Sequence, residues 1–231
     1  MSHNKKVLLI NGRSSTGKTF SLRRLVQEHG DKIAYIDADG KHALPFKGKK
    51  KIAKYVIPKD PLEVPAGLRA LEQDDSIEYI IIDTLSHLLR VLEQKHVIAS
   101  DDSRGAWGKI YQATLYDIID FATHQSSKTY IFMSHIMEGD IENGKIPVKA
   151  FVKGSTKSVG IESFFNFVIY TDVAECDECP EGLKYRFQVK KTRETTHLSV
   201  KTPYDMFDEP FTEDNDIMKI LERIDEYDEE E

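Results

Sequence analysis

Residues 8–20 read LLINGRSSTGKTF, an apolar run that opens into a loop of small and polar residues. The spacing Gly12-x4-Gly17-Lys18-Thr19 fits the phosphate-binding loop, in which backbone N–H groups surround phosphate oxygens. The lysine of such a loop reaches the β and γ phosphates, and the threonine hydroxyl ligates Mg²⁺. The stretch therefore predicts a nucleoside triphosphate site. The predicted phosphate-loop residues are Gly12, Arg13, Ser14, Ser15, Thr16, Gly17, Lys18, Thr19 and Phe20.

Strand-like and helix-like runs alternate along the chain. KVLLIN precedes the loop, and a run with helical spacing follows it as far as Gly30. Further strand-like runs lie at residues 32–39, 77–85, 128–137 and 160–173, and residues 183–203 contain antiparallel-looking β pieces. This order predicts a three-layer α/β fold with a mostly parallel central sheet and a C-terminal antiparallel β extension. We expect the core to cover residues 1–204 and an acidic tail to cover residues 205–231.

Length and composition fit one α/β domain with a tail, because 231 residues can bury a full core. MSHNKK leads into a core strand without a signal pattern, and no apolar run is long enough to span a membrane. Cys176 and Cys179 lie in an acidic, turn-rich segment, which favours a hairpin tip over a metal or redox site. Together these features predict a cytoplasmic protein in a reducing compartment.

Acidic charge is concentrated at the C-terminus. Residues 205–231 carry 13 Asp/Glu and 2 Lys/Arg, whereas the preceding residues carry 26 and 30. One interpretation is a solvated tail that maintains solubility, and the other is a regulatory segment that competes with nucleic acid or docks a partner. The segment can also form a short amphipathic helix, because four apolar residues share a face. These are Ile217, Ile220, Leu221 and Ile224.

Polar residues follow the apolar strands where ligands bind in parallel α/β sheets. Asp83 ends YIIID and is predicted to hold Mg²⁺, with a helix N-cap as the alternative. Asp37 and Asp39 end YIDAD, and Asp39 is predicted to orient the attacking water. Ser134 and His135 end the fourth strand and can respond to the γ-phosphate. No [NT]-K-x-D element follows a strand, so ATP is favoured. Without ligand, Lys18 is expected to face solvent.

The motifs NGRSSTGKT, YIDADGKHAL, IIIDTL and IFMSHIM, in that order, resemble the RecA-type ATPase core. In particular, the chain is similar to small phage and prophage RecA-like ATP-binding proteins, including single-strand annealing proteins of the Sak group. The resemblance implies Mg²⁺-dependent, DNA-stimulated ATP hydrolysis in recombination, annealing or repair. It makes Lys18 and Asp39 catalytic, with Asp39 at a position usually held by Glu, and makes His135 the γ-phosphate sensor.

The resemblance also implies a homo-oligomer, either a ring or a filament, in which a basic residue completes the ATP site of the neighbouring subunit. The segment FQVKKTRE matches the place of that residue. The candidates for this trans-acting role are Lys190, Lys191 and Arg193.

Single-stranded DNA is the implied partner, and residues 93–108 and 138–158 match the two DNA-binding loops of the family. Independently, lysines recur every four residues in the second segment with Phe151 among them, which suits backbone tracking and base stacking. The alternative interpretation of the lysines is a solvated basic surface. The alternative for Trp107 is that its side chain packs as part of a helix. The DNA-binding candidates are Arg104, Trp107, Lys149, Lys153 and Lys157.

Two functions from different classes follow from these patterns. The first is an ATP-dependent protein that acts on single-stranded DNA. The second is a nucleotide-switched module with little hydrolysis, which loads a partner such as a replication or single-strand-binding protein. The basic second loop favours the first function, whereas Asp39 in place of Glu and the acidic tail leave room for the second. A small-molecule kinase is disfavoured because the segment after His135 lacks the arginines of a lid.

Overall fold

The computed structural model describes residues 4–139, 146–152, 160–179 and 181–230. The strands are β1 (Val7–Asn11), β2 (Ile33–Asp37), β3 (Lys54–Val56), β4 (Tyr79–Asp83), β5 (Thr129–Ser134), β6 (Ile136–Glu138), β7 (Val148–Ala150), β8 (Phe167–Glu175) and β9 (Leu183–Gln188). The α-helices are α1 (Arg23–His29), α2 (Val64–Glu72), α3 (Leu85–Leu92), α4 (Ser103–Tyr111) and α5 (Ile217–Glu230). The π-helical segments Glu93–Val97 and Gln112–Gln125 continue α3 and α4. Short 3₁₀ turns are Thr19–Leu22, Gly30–Lys32, Lys49–Lys51, Pro61–Glu63 and Ile161–Phe164.

Seven strands form one sheet in the order β3-β2-β4-β5-β1-β8-β9. All neighbours in it pair in parallel except β8 and β9, which are antiparallel. β6 and β7 form a separate antiparallel pair. The register places Asp37 beside Asp83 and Asn11 beside Ser134, so the polar strand ends meet at one edge. The predicted α/β fold with an antiparallel C-terminal extension is confirmed.

Both faces of the sheet are covered by helices. Leu9 of β1 lies in an apolar cluster with residues of α2, α3 and α4, whereas Leu8 and Ile10 lie in a second cluster with residues of α1 and α5. Because side chains alternate along a strand, a strand buried on both faces must be apolar throughout. This accounts for the continuous apolar run before the phosphate loop and gives the molecule three layers.

The edge strand β3 was not predicted. It has three residues, two of them exposed, and lies in a lysine-rich stretch without an apolar run. It pairs with β2 on one side, and Lys54 forms an ion pair with Asp74. Exposed charged side chains are common on edge strands. The sequence of β3 therefore looks like that of a surface loop.

The acidic C-terminal segment packs on the body. The predicted amphipathic helix forms as α5, with Ile217, Ile220 and Ile224 at most 1% exposed. Arg24 of α1 pairs with Asp216 and Glu222. Residues 217–224 are therefore neither a solvated tail nor an apolar face open to a partner, which corrects both of those interpretations for this stretch. The reason is that the second apolar cluster of the sheet needs α5 as its cover.

The turn between β8 and β9 carries both cysteines, as predicted for a hairpin tip. Cys176 and Cys179 form a disulfide, which differs from what the predicted reducing compartment implies, since thiols stay reduced there. The backbone N–H of Cys176 donates to the carbonyl of Gly182 at 2.9 Å. Within the described ranges, no helix is both long and apolar enough to cross a membrane.

Candidate active site

The carboxyl ends of β2, β4 and β5 and the loop after β1 surround a cavity of about 630 Å³. Five residues predicted from separate motifs line this one cavity. They are Lys18, Thr19, Asp39, Asp83 and His135. Their convergence follows from the parallel sheet, which places these strand ends along one edge.

The phosphate loop is anchored at its base by hydrogen bonds and close packing. The N–H of Gly12 donates to the carbonyl of Ser134 at 3.1 Å, and a Cβ at Gly12 would overlap the hydroxyl of Thr171. Thr16 donates to the carbonyl of Arg13 at 2.8 Å and lies 2.5 Å from the Thr171 hydroxyl. The glycine therefore allows the loop to pack directly against β8.

Not every predicted loop residue faces the cavity. Gly12 and Thr16 hold the base of the loop, and Arg13 points outward to Glu138 at 3.1 Å. The loop residues that line the cavity are Ser14, Ser15, Gly17, Lys18, Thr19 and Phe20.

Lys18 is buried within its own loop. It is 6% exposed, and its Nζ donates to the carbonyl oxygens of Gly12 at 2.8 Å and Arg13 at 2.7 Å. The expectation that Lys18 faces solvent without ligand is therefore wrong, because the loop carbonyls provide acceptors for its ammonium. Burial lowers the pKa of Lys18 to about 8.

Asp83 lies at the deep end of the cavity between two hydroxyl donors. Thr19 donates to Asp83 Oδ2 at 2.7 Å, and Tyr35 donates to the same oxygen at 2.5 Å. Burial raises the pKa of Asp83, and the two hydroxyls offset this only in part. The alternative role as a helix cap is wrong, since the N-cap of α3 is Thr84, whose side chain accepts from the N–H of His87.

Asp39 lies nearer the rim of the cavity. Its carboxylate accepts from Thr84 Oγ1 at 2.9 Å and pairs with Lys41 Nζ at 2.5 Å, and His87 Nδ1 lies at 3.8 Å. Burial acts to raise the pKa of Asp39, but the bonds from Lys41 and Thr84 outweigh it and the pKa is lowered. Asp39 is therefore held as an anion.

Asp37 serves its own loop instead. It accepts from the backbone N–H of His42 at 2.9 Å and from the Tyr55 hydroxyl at 2.8 Å. These bonds hold the turn after β2 in place. Asp37 and Asp39 both line the cavity, and the predicted role of Asp39 in orienting water stays a prediction.

His135 lines the cavity at the end of β5. Its backbone N–H donates to Ser86 Oγ at 2.8 Å, and that hydroxyl lies 2.8 Å from Ser134 Oγ. Burial and the nearby Lys18 ammonium lower the pKa of His135. A neutral imidazole keeps one N–H, which can donate a hydrogen bond to a phosphate oxygen.

The residues at the deep end fit a magnesium ion. Mg²⁺ is usually held by one or two protein oxygens together with substrate phosphates and waters, rather than by a full protein cage. Thr19 and Asp83 place a hydroxyl and a carboxylate within hydrogen-bond distance of each other beside the loop. The described residues contain no group of three or more His, Cys, Asp or Glu that could hold a metal on its own.

Several residues in and around the site were missed from the sequence, among them Tyr35, Lys41 and Asn215. Tyr35 is a phenol within a buried strand, and a buried hydroxyl needs a polar partner, so its position was an available signal. Lys41 follows the strand-end aspartates by only two residues. Asn215 donates to the carbonyl of Gly17 at 3.0 Å from almost 200 residues away, and no local pattern indicates that contact.

The predicted DNA-binding residues lie on other elements. Residues 93–108, expected to be a loop, are largely helical, with Arg104 exposed in α4 and Trp107 packed against the apolar core. This corrects the loop assignment and supports the packing alternative for Trp107. Lys149 is exposed in the middle of β7, and Lys153 and Lys157 lie outside the described residues.

The trans-acting candidates follow β9. The residues that line the cavity do not include Lys190, Lys191 or Arg193. Lys190 Nζ lies 5.3 Å from the centre of the Tyr204 ring, and Lys191 and Arg193 are exposed. A role in a neighbouring subunit remains a prediction for these three.

Comparisons with known proteins leave the family open. No family model matches the chain, and no curated protein sequence matches it significantly. Among solved structures, it is similar to a KaiC-like protein from the hyperthermophilic archaeon Pyrococcus horikoshii OT3. That similarity has 16% identity and a TM-score of 0.46 and covers 86% of this chain and 83% of the other. The function of the protein must therefore be inferred from the residues that line the cavity.

Proposed function

We propose that this protein is a Mg²⁺-dependent, RecA-like ATPase that acts on single-stranded DNA. The observation that carries the ATPase part is the single cavity lined by Lys18, Thr19, Asp39, Asp83 and His135. A loop with backbone N–H groups, a lysine, a paired hydroxyl and carboxylate, and a second carboxylate are the parts that phosphoryl transfer from a nucleotide requires.

Each residue has a defined task in this proposal. The Lys18 ammonium exchanges the carbonyls of Gly12 and Arg13 for phosphate oxygens, which are stronger acceptors because they are charged. Thr19 and Asp83 would hold Mg²⁺, which would neutralise charge on the phosphate oxygens. Asp39 orients the attacking water and accepts its proton.

The DNA part of the proposal is supported by the position of the β6–β7 pair. Arg13 of the phosphate loop pairs with Glu138 at the end of β6, and β7 carries the exposed Lys149. The lysine-rich segment that predicted DNA contact continues from this pair. The ion pair between Arg13 and Glu138 therefore connects the phosphate loop to the proposed DNA-binding segment, and nucleotide binding can affect that segment through it. Recombination, annealing or repair by a phage-type protein is the process that we propose.

A second candidate, a nucleotide-switched loading module with little hydrolysis, is favoured by one observation. Asp39 is already paired with Lys41 at 2.5 Å and accepts from Thr84. The ion pair and the hydrogen bond stabilise the anion and lower the pKa of Asp39, so it accepts a proton from water less readily. Slow turnover with tight ATP binding would follow.

The test measures ATP binding and turnover in the same preparations, with Mg²⁺ or EDTA and with or without an oligonucleotide. We expect Lys18→Ala to weaken Mg-ATP binding by at least about 100-fold, because it removes the cation that contacts the phosphates. Lys47→Ala is the matched control, since Lys47 is exposed and does not line the cavity. Equal binding by the two variants would refute the nucleotide site.

The same preparations separate the two candidate functions. Turnover that rises severalfold with single-stranded DNA supports the first. Tight binding with turnover that DNA does not change supports the loading module. In either case, binding to a labelled oligonucleotide should weaken as salt is raised if the basic segment contacts phosphates.

Assembly is part of the proposal and has its own test. If Lys190, Lys191 or Arg193 completes a neighbouring site, the contact is head to tail and can close into a ring or extend as a filament. Mixing Lys18→Ala subunits with Arg193→Ala subunits should then restore part of the turnover. A monomer at all concentrations by light scattering, with no restored turnover, would exclude shared sites.

A further inference from the structure

The segment before α5 brings a buried asparagine against the phosphate loop. Thr212 donates its backbone N–H to the carbonyl of Phe187 at 2.9 Å, and its hydroxyl accepts from the N–H of Phe187 at 2.8 Å. These bonds fix the chain beside β9 just before Asn215. Asn215 is 2% exposed. A buried amide needs hydrogen-bond partners for both its N–H and its oxygen. Loss of either partner therefore costs free energy.

The two ends of the Asn215 amide have different partners. Its Nδ2 donates to the carbonyl of Gly17 at 3.0 Å, and its Oδ1 accepts from Arg23 Nη1 at 3.2 Å. Arginine has only donors, so the oxygen must face Arg23 and the nitrogen must face Gly17. The Arg23 guanidinium also lies 4.6 Å from the centre of the Phe20 ring, which lines the cavity.

The contact with Gly17 controls a peptide group of the phosphate loop. Gly17 has a φ of +88°, and a Cβ there would overlap the Asn215 amide. In a trans peptide, the C=O and the following N–H point in opposite directions. Because the Gly17 carbonyl is held toward Asn215 and also accepts from Ser21, the N–H of Lys18 is held in the opposite direction.

The position of Asn215 is fixed by its neighbours on the body. The next residue, Asp216, pairs with Arg24 at 3.3 Å, and Ile217 and Ile220 are buried under the sheet. The amide is thus attached to α1 and to the second apolar cluster, not to a flexible segment. A rigid attachment is what allows one hydrogen bond to hold a loop in a single conformation.

We propose that Asn215 is a positioning residue for phosphate binding, which turns the Gly17–Lys18 peptide so that its N–H is available to an anion. The proposal depends on the nucleotide function proposed above. It also gives the acidic C-terminal segment a role in the site itself.

The discriminating variant is Asn215→Asp, which keeps the volume and the oxygen that accepts from Arg23 but replaces the donor with a second acceptor. A carboxylate oxygen facing the Gly17 carbonyl should turn the peptide away. We expect the Kd for Mg-ATP to rise about five- to tenfold, the effect of one hydrogen bond of roughly 1 kcal/mol. Lys219→Ala is the control, because it removes an exposed pair with Asp214 near the start of the same helix.

A purely structural role predicts a different outcome. Asn215→Asp would then bind Mg-ATP like the parent protein, and that result would overturn the proposal. Asn215→Ala, which removes both bonds, should raise the Kd at least as much as Asn215→Asp and should also lower the melting temperature. A drop in melting temperature with an unchanged Kd would contradict the positioning role.

Hydrogen–deuterium exchange without nucleotide separates this proposal from the ATPase proposal. Residues 12–22 should exchange faster in Asn215→Asp than in the parent protein and in Lys219→Ala. Failure of the parent protein to bind ATP would refute the nucleotide function, and the exchange result would still decide whether Asn215 holds the loop. Equal exchange in all three proteins would overturn the inference.

Discussion

The deep end of the cavity, formed by Thr19, Tyr35 and Asp83, differs from its rim, formed by Asp39, Lys41 and His87. Burial disfavours the charge of both carboxylates, and it does so more strongly for Asp83, which is 7% exposed, than for the partly buried Asp39. Their pKa values move in opposite directions, upward for Asp83 and downward for Asp39. The partners add to the difference. Asp83 has two neutral hydroxyl donors, whereas Asp39 has a lysine ammonium.

The comparison shows that depth and the charge of the partners together decide what a buried carboxylate can do. Asp83 has hydroxyl donors and only the more distant ammonium groups of Lys18 and Lys41 for its charge, so a divalent ion beside it is favourable. Lys41 already compensates the charge of Asp39. The first arrangement suits metal binding, and the second suits a carboxylate that is already charged when it orients a water molecule.

The largest expected effect comes from neutralising each carboxylate in turn. Asp83→Asn should remove the Mg²⁺ dependence of ATP binding and lower turnover by about 100-fold or more, since an amide is a poor substitute for a charged ligand. Asp39→Asn should lower turnover but leave Mg²⁺-dependent binding in place. Calorimetric Mg²⁺ titrations of ATP binding measure the difference. Equal loss of binding in both variants would remove the distinction between the deep end and the rim.

Acid stability of the nucleotide-free protein tests the same contrast. The folded-state pKa of Asp39 lies below its unfolded value, so its stabilisation is present above the unfolded pKa and is lost as pH falls through the folded one. Asp39→Asn should therefore flatten the decline of melting temperature at acidic pH. Asp83 has the opposite sign: its contribution is greatest at low pH and falls as pH rises through its raised pKa. Identical pH profiles of the two variants would contradict the assigned directions.

Tyr35 offers a smaller test with a matched control. Tyr35 and Tyr55 stack with ring centroids 5.0 Å apart, and each donates to an aspartate, Asp83 and Asp37 respectively. Tyr35→Phe should raise the Mg²⁺ concentration at half-maximal ATP binding about fivefold, the effect of losing a hydrogen bond of roughly 1 kcal/mol. Tyr55→Phe should leave it unchanged. The same shift in both variants would indicate general loosening of the strand.

Lys41→Ala should have the smallest effect. The Lys41 side chain is 68% exposed, and exposed ion pairs contribute at most about 1 kcal/mol. Release of Asp39 from this pair should raise turnover by about threefold if the pair restrains proton acceptance. Steady-state turnover at saturating Mg-ATP is the measurement. A tenfold decrease would instead assign Lys41 to phosphate binding.

The sequence predicted those parts of the fold and site that are encoded locally. The phosphate loop is a pattern of eight adjacent residues, and buried parallel strands are continuous apolar runs. Asp83 and Asp39 were found because they end such runs. Their hydrogen bonds could not be predicted, since the donor to Asp83 from Tyr35 comes from another strand and requires the register of the sheet.

The misinterpretations have the same cause. Lys18 was expected to face solvent because its spacing says nothing about the carbonyls of its own loop. Residues 205–231 resembled a solvated tail because acidic residues dominate the composition, whereas the four apolar residues of α5 determine where the helix lies. The acidic residues of this segment lie mostly on its exposed face, whereas the position of α5 in the fold depends on its buried apolar face.

The packing of α5 also bears on how the chain folds during synthesis. The second apolar cluster, which includes Leu22, Val26 and Phe187, is covered in part by Ile217, Ile220 and Ile224 of α5. A ribosome-bound chain that has emerged as far as residue 204 has all nine strands but leaves the part of the cluster beneath α5 in water. Such a patch favours association with other chains or capture by chaperones. Synthesis of α5 is therefore the step that shields this apolar surface from such association.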